Sequence, residues 1–397
     1  MKKLICLIIC TILIIPSATV YADIPKFHYS FEEAAKMALE NTPEYKGMDK
    51  TIDDAYDVYD AADKMTPSDI KFTGSMKFFI EKQVNPHINL ETAYSGYQMA
   101  IMTRNNIKRN VELKLREVVV AVEKAEMAAE EAVIAKSAKN NELKLLEIRY
   151  EQGLIGKTDY KNEKKRLKDE LKAFDDDIDK ALDMTYRQLN LFLGREDEKD
   201  IVINLNDTEI PLDKLDLKQI KKDMMNFSGA PTGYSPSLLN KFPDSLRLLK
   251  EERYIQSYRF DLIKERYDKY DLDKFTDKMR NDIEDMYEEA KKDYEVADKK
   301  YENALSRFEK TFDDMIEDIE DLYDDIEDIK DEIAIEKENI KLYKVKYDAG
   351  RMPKIEYDSL QDKITLLENK LKKAELDLNM KYAELLIYSD LKKVVLE

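Results

Sequence analysis

The chain has 397 residues, 38% of them charged, and a formal net charge of −18 at pH 7. Glycine (9), proline (10) and tryptophan (0) are scarce, which favours long helices over a compact mixed fold. An acidic surface repels nucleic acid and anionic lipid, and this argues against both as partners.

Residues 1–22 are predicted to be a signal peptide. Two lysines precede an apolar stretch over residues 4–16, and small residues end at Ala22, where a signal peptidase would cut. An uncleaved anchor is the alternative, although the stretch is short for a membrane span. Both cysteines, Cys6 and Cys10, lie in this segment, so the mature chain has no thiol for a disulfide, a metal site or a nucleophile. Loss of the two lysines takes the net charge from −18 to −20.

The first predicted helix opens at Ser30. The Ser30 side chain can cap this helix while Glu33 returns the bond, which is the capping-box pattern, and the helix ends near Asn41-Thr42-Pro43. A second helix is predicted to run to about Met65. Residues 70–80 then alternate apolar and polar side chains, which predicts one short strand or extended segment.

Residues 98–193 predict a long helical hairpin. Apolar residues recur every three or four positions from about residue 98 to Tyr150, a span of roughly 50 residues or about 75 Å of helix. Gly153 ends this helix as a left-handed C-terminal cap would, and the next helix stops before Gly194. Such narrow apolar stripes are buried only by another helix along their whole length, so the two helices are expected to pack antiparallel.

A connector over residues 195–242 precedes a second hairpin. Within it, residues 201–203 predict a short strand and residues 213–225 a small helix. The helical pattern resumes after Pro243, ends at Gly350, and is followed by a last helix with the same apolar spacing. The predicted fold class is therefore all-α: elongated coiled-coil hairpins in two pseudo-repeats, with at most minor short strands.

The two hairpin turns match at a constant offset of 197 positions. The matched pairs are Tyr150 and Tyr347, Gly153 and Gly350, Asp159 and Glu356, and Tyr160 and Tyr357. A period near 200 indicates a duplication, and predicts a first helical repeat over 23–200 and a second over 201–397 in one continuous elongated domain. Two similar hairpins suit a wall element that several copies complete into a ring or tube.

Taken together, these features resemble the outer-membrane efflux protein (TolC) family. The resemblance rests on a Tyr-x-x-Gly turn in each half, a carboxylate six residues past each glycine, and an early helix closed by Asn41-Thr42-Pro43-Glu44. It covers essentially the whole mature chain. It implies a homo-oligomer, a trimer in that family, with hairpin tips that close a tunnel. A periplasmic-adaptor-like protein docks on those tips, and an inner-membrane transporter supplies the substrate.

The resemblance also assigns roles to residues by position. The hairpin-tip residues that dock the adaptor would be Tyr150, Gly153, Leu154, Tyr347 and Gly350. The acidic residues at the tunnel mouth would be Asp159 and Glu356. Rings of such carboxylates would attract cations. The alternative is that the glycines only cap helices and the acids only favour helix N-termini through the helix dipole.

One departure from the family concerns its membrane strands. TolC-type channels insert strands between the long helices of each half to build an outer-membrane barrel. Here the first half offers one alternating stretch, and residues 255–290 of the second stay charged and helical. Since a barrel must close with all edges paired, the chain resembles a barrel-less relative. We expect an exported, cell-envelope protein, placed at the outer membrane by the resemblance alone.

Other candidate chemistry is weak. The acidic run over 313–338 lacks the glycine of a hand-type calcium loop and fits a solvated helix face. His28 and His87 have no partners at ligand spacing, and neither a nucleotide loop nor a nucleophile elbow is present. We therefore predict a passive conduit component of an efflux or export assembly, with no enzymatic activity, cofactor or metal. The rival hypothesis is a non-conducting coiled-coil scaffold of the cell envelope.

Overall fold

The computed structural model describes residues 27–196, 201–205, 216–218, 221 and 243–388, without the side chains of 173–179, 243–245, 247 and 388. The predicted signal peptide and most of the predicted small helix over 213–225 lie outside these residues. The elements in chain order are β1 (Phe27–Ser30), α1 (Phe31–Asn41), α2 (Pro43–Lys46), α3 (Met48–Met65), α4 (Met76–Phe79), α5 (Asn85–Glu151), α6 (Lys157–Leu193), β2 (Ile201–Asn204), α7 (Pro243–Tyr267), α8 (Asp277–Asp348) and α9 (Lys354–Tyr388). The predicted all-α class is confirmed.

The long helices form two equivalent groups of three. In the first group α5 packs against α3 and then α6, and in the second α8 packs against α7 and then α9. Helix α5 has 67 residues and α8 has 72. At 1.5 Å per residue these are about 100 Å and about 110 Å long. The chain is therefore an elongated pair of hairpins, with α5 longer than predicted because it begins at Asn85 rather than near residue 98.

Helices α5 and α9 join the two hairpins side by side. Leu376 of α9 packs with Val120 and Met127 of α5. Around this apolar contact, Lys373 Nζ lies 2.7 Å from a carboxylate oxygen of Glu131, and Lys124 pairs with Asp377. The four long helices therefore contact one another in the order α6–α5–α9–α8.

Helix α1 begins as the sequence predicts. Glu33 N donates to Ser30 Oγ at 3.2 Å while Ser30 N donates to Glu33 Oε2 at 2.9 Å, so the capping box is confirmed. The buried face of α1 packs on α5 and α6 in a core near the middle of the molecule. The side chain of Asn41 then donates to Leu191 O at 2.9 Å and caps the end of α6.

The predicted strand over 201–203 is confirmed as β2, but its partner is β1, which the sequence did not indicate. The strands are parallel, with Phe27 opposite Ile201 and Ser30 opposite Asn204. Ile201 and Ile203 point into the same middle core as α1. This strand pair therefore ties the start of the first repeat to the connector that follows it.

For the short strand or extended segment predicted over residues 70–80, the strand is wrong: residues 70–75 are neither helix nor strand. Residues 76–79 form α4 and residues 80–84 a π-helical turn that leads directly into α5. The carbonyl groups before α4 are satisfied by side chains of α7 instead of a strand: Arg266 Nη1 donates to Phe72 O at 2.7 Å. The alternating apolar residues contribute to a small core that closes the end of the molecule away from the hairpin turns.

The acidic run on α8 is a solvated face, as predicted. Ile319, Ile326 and Ile333 of this run are buried, while the acids between them are exposed. Within the described ranges, no helix combines the length and the apolar character that crossing a membrane requires.

Candidate docking site at the two hairpin tips

The first tip is a helix C-cap built on Gly153. Leu154 N donates to Arg149 O at 2.9 Å and Gly153 N donates to Tyr150 O at 3.0 Å. Gly153 has φ 71°, the left-handed conformation that glycine adopts without steric cost. This pair of hydrogen bonds is the Schellman arrangement, and it confirms the predicted left-handed cap.

The second tip repeats this geometry atom for atom. Arg351 N donates to Lys346 O at 2.8 Å and Gly350 N donates to Tyr347 O at 2.9 Å. Gly350 has φ 67°. The two tips therefore share backbone structure as well as sequence pattern, which is what the offset between the repeats implies.

A pair of stacked tyrosines closes each hairpin just behind its turn. The rings of Tyr150 and Tyr160 have centroids 4.2 Å apart at an interplanar angle of 8°. The rings of Tyr347 and Tyr357 have centroids 4.9 Å apart at 11°. The sequence matched these residues between the repeats but did not show that they meet. Each stack joins the last turn of one helix to the first turn of the next.

The two acidic residues assigned to the tunnel mouth lie in first turns. Asp159 is in the first turn of α6 and Glu356 in the first turn of α9, and both are exposed. This position suits the helix dipole as well as it suits a ring of carboxylates. Their role at a tunnel mouth stays a prediction.

Apolar side chains are exposed at equivalent positions of the two tips. Leu145 and Ile148 on α5 are 43% and 47% exposed, and their counterparts Leu342 and Val345 on α8 are 67% and 69% exposed. Leu154, in the first turn itself, is 68% exposed. Exposed apolar clusters of this kind mark contact surfaces. Sequence reasoning aligned Leu145 with Leu342 and Ile148 with Val345 but gave them no role. Their equal spacing in both repeats was the available signal.

A groove lies between α5 and α6 beside the first tip, with a volume of about 580 Å³. Its lining residues are Glu142, Leu145, Leu146, Arg149, Ile155, Asp159, Asn162, Glu163 and Leu167. The groove therefore has an aliphatic floor and a rim of charged residues from both helices.

Ion pairs hold the first hairpin together near its groove. Lys164 Nζ lies 2.8 Å from Glu147 Oε1 and 2.7 Å from the hydroxyl of Tyr160. The hydrogen bond from Lys164 lowers the pKa of the Glu147 carboxyl, and the bond to Glu147 raises the pKa of Lys164. At the second tip the residues 197 positions later are Lys344 and Gln361, which cannot form this pair.

Solved structures with the same architecture span nearly the whole chain. A membrane protein from Pseudomonas aeruginosa has a TM-score of 0.55 and 10% sequence identity, with 92% of each chain covered. The outer membrane protein VceC of Vibrio cholerae has a TM-score of 0.52 and 13% identity, covering 89% of this chain and 95% of VceC. The CmeC outer membrane channel of Campylobacter jejuni has a TM-score of 0.51 and 10% identity, covering 90% and 84%. No family model and no curated protein matches the sequence.

Proposed function

We propose that this chain, which has the fold of the TolC-like outer-membrane efflux channels, is a passive conduit component of an export or efflux assembly in the cell envelope. It acts with an adaptor protein that docks on the hairpin tips and with a membrane transporter that supplies the substrate. Several copies, three by analogy with the family, close into a ring.

The observation that carries this proposal is the matched exposure of apolar side chains at both tips. Leu342 and Val345 are more than two-thirds exposed on a helix whose nearby apolar residues Ile329 and Ile333 are buried against Leu367 of α9. Leaving such side chains in water is unfavourable by about 25 cal/mol per Å², so a partner surface is expected to cover them. Their repetition at the first tip, at Leu145 and Ile148, supports a partner that meets both hairpins.

The edges of the helical layer support closure into a ring. Helices α6 and α8 lie at opposite ends of the order α6–α5–α9–α8. Met184 and Leu191 on α6 are 63% and 67% exposed, and Ile335 on α8 is 60% exposed. A contact between α8 of one copy and α6 of the next is heterologous, and such contacts close into rings when the rotation permits.

The test is to remove the tip contacts in cells that produce the protein and to measure export. We expect the Leu342→Asp, Val345→Asp double variant to reach the envelope at normal levels and to lose adaptor binding and export together. A matched control is Val133→Asp, since Val133 lies on α5 at 64% exposure, well away from the turn.

The same experiment separates the conduit from the scaffold. If the chain is a scaffold that conducts nothing, it holds its partners in place without taking part in export. Deletion of its gene would then leave export of every substrate tested unchanged. Loss of export on deletion, restored by the wild-type chain and not by the tip variant, is the result that the conduit requires.

A further inference from the structure

We propose that neighbouring copies of this chain join along α8 and α6 in the register of the seam between α5 and α9, and that divalent cations bound at this joint strengthen the assembly. The inference rests on the proposed function, because it describes the contact that closes the ring. It adds a cation site that only two copies complete.

The duplication supplies a template for the joint between copies. The four long helices follow one another in the order α6–α5–α9–α8, so the next copy in a ring brings its α6 against α8. Helix α5 ends 197 positions before the end of α8, and α6 begins 197 positions before the start of α9. The contact of α8 with the next α6 is therefore the counterpart of the contact of α5 with α9 inside one chain.

The offset of 197 also holds at the height of the seam. Four residues of α5 are buried there, and so are the residues 197 positions later on α8: Val111 and Phe308, Leu115 and Phe312, Val118 and Met315, and Val122 and Ile319. The two helices therefore turn the same positions toward their own hairpins. A residue that faces α9 on α5 has a counterpart on α8 that faces the next copy.

The centre of the seam is apolar inside one chain and acidic at the joint. Leu376 of α9 packs with Val120 and Met127 of α5. The counterparts of these three residues, in the same order, are Asp179, Glu317 and Asp324. Glu317 and Asp324 are exposed, and neither forms an ion pair with any residue that the structure describes.

Two polar contacts of the seam have counterparts of opposite charge at the joint. Asn369 Nδ2 donates to Glu130 Oε2 at 3.1 Å, and Lys124 pairs with Asp377. Their counterparts at the joint are Lys172 with Glu327 and Asp321 with Lys180. Each counterpart pair combines an acid of α8 with a base of α6, and all four residues are exposed in the single chain. This charge complementarity in one register supports a second copy as the partner of α8.

The remaining ion pair of the seam becomes a pair of acids. Lys373 Nζ lies 2.7 Å from Glu131 Oε1, and the counterparts of these residues are Asp176 and Asp328. The joint therefore brings carboxylates of two copies together between the complementary pairs. Carboxylates that share a contact with little water repel one another, and this repulsion opposes assembly unless positive charge is bound there.

A hard divalent cation supplies that charge. Ca²⁺ takes roughly six to eight oxygen ligands, and carboxylates are among its usual ones. Glu317 and Asp324 are seven positions apart, which places them on one face of α8, and the joint adds acids from α6 of the neighbouring copy. Among the described residues of one chain, no group of three or more acids, histidines or cysteines is placed to hold a metal ion, so the site requires the second copy.

The experiment measures assembly of the mature chain by sedimentation velocity over a range of protein concentrations. The buffers contain EDTA, millimolar Ca²⁺, or NaCl at the ionic strength of the Ca²⁺ buffer. The joint variant is Glu317→Val with Asp324→Met, which places at both positions the residue that the first repeat carries. The control variant is Asp314→Ala with Asp325→Ala, which removes two acids of α8 whose counterparts on α5 are exposed and lie outside the seam.

We expect Ca²⁺ to lower the concentration at which the wild-type chain is half assembled by about tenfold relative to EDTA, the factor for one site with the cation at about ten times its Kd. The control variant should respond like the wild-type chain. The joint variant should assemble in EDTA as readily as the wild-type chain does in Ca²⁺, because its apolar residues restore the centre of the seam.

Three results would overturn the inference and leave the proposed function intact: equal assembly of the wild-type chain in EDTA and Ca²⁺, an equal effect of NaCl, or a Ca²⁺ dependence retained in the joint variant. A chain that stays monomeric in every buffer would overturn both, since no ring would form. Equal helix content by circular dichroism in all variants is the control for folding.

Discussion

At the two tip glycines, the free-energy cost of the left-handed backbone conformation can be measured without a contribution from steric clashes of the new side chain. Gly153 and Gly350 have φ values of 71° and 67°, and a Cβ added at either would meet no other heavy atom of the described residues within 4 Å. Substitution by alanine therefore tests the left-handed conformation alone, which costs a residue with a Cβ about 1–2 kcal/mol.

We expect Gly153→Ala to lower the free energy of unfolding by about 1 kcal/mol in urea titrations followed by circular dichroism. Gly96→Ala is the matched control. Gly96 lies inside α5 and has no positive φ, and an added Cβ there would lie more than 4 Å from the described part of the chain outside the helix's own backbone, so alanine should stabilise the helix by about 0.5–1 kcal/mol. Equal effects of the two substitutions would contradict the tip geometry.

His87 gives the chain a pH dependence that can be isolated, because the sequence contains only two histidines. Burial lowers the pKa of His87, whose Nε2 is buried with no hydrogen-bond partner in the described structure. The unfolded chain therefore binds the proton more readily than the folded chain. The stability linked to His87 is fully present above its unfolded pKa of about 6.5 and is lost as the pH falls toward the lower folded value.

We expect His87→Asn to remove this loss of stability between pH 7 and pH 5, measured as urea midpoints at each pH against the wild-type chain. His28 lies exposed on β1, and His28→Asn is the matched control for the loss of a histidine. A wild-type curve that is retained in His87→Asn would show that another group carries the titration in this window.

At the scale of elements, the sequence identified the structures that its own periodicity determines. Apolar residues recur every three or four positions over many turns of α5, α6, α8 and α9. Each of these helices and its antiparallel partner could therefore be predicted. The turns could be predicted as well, since a glycine ends each incoming helix. The exposure of Leu145, Ile148, Leu342 and Val345 could not be predicted, because an apolar residue at heptad spacing looks the same whether a helix covers it or solvent does.

The elements that were missed depend on contacts from distant parts of the chain. Strand β1 is four residues long and exists because β2, more than 170 positions later, pairs with it. The segment before α4 has the alternation of a strand, but Arg266 and Tyr270 of the second repeat bind its carbonyl groups at Phe72 and Gly74. No local pattern contains that information.

The seam between the two hairpins supports a further prediction. Lys373 and Glu131, each with a side chain 29% exposed, face each other across α9 and α5. Lys373→Glu places two carboxylates together and should lower the free energy of unfolding by about 1 kcal/mol at low salt.

Adding Glu131→Lys should restore most of that loss, because the pair is then re-formed with its charges exchanged. A double-mutant cycle measured by urea unfolding at low and at high salt gives the coupling energy and its screening. Lys36 and Glu32 form an ion pair one turn apart on α1 at 60% and 56% exposure, and the same exchange there should have little effect. A coupling energy of zero at the seam would mean that the apolar contact alone joins the hairpins.

For the whole molecule, the duplication explains why so much of the architecture could be predicted from the sequence. An offset of 197 relates the tip glycines and the tyrosines behind them, so the second hairpin could be inferred from the first. What the offset does not reveal is where the copies differ. The ion pair between Glu147 and Lys164, which the residues of the second tip cannot form, became apparent only from the structure.

The edge residues of α6 decide whether the molecule acts as part of a ring. Met184 and Leu191 are seven positions apart, which places them on one face of the helix, and both are more than 60% exposed. If this face packs against α8 of a neighbouring copy, Leu191→Glu puts a charge into an apolar contact and should convert the oligomer into monomers. Multi-angle light scattering of the mature chain at tens of micromolar measures this directly.

Leu154→Glu is the control, since Leu154 lies at the tip and its substitution should leave the oligomer unchanged. A wild-type chain that is strictly monomeric under these conditions would remove the basis for a closed conduit.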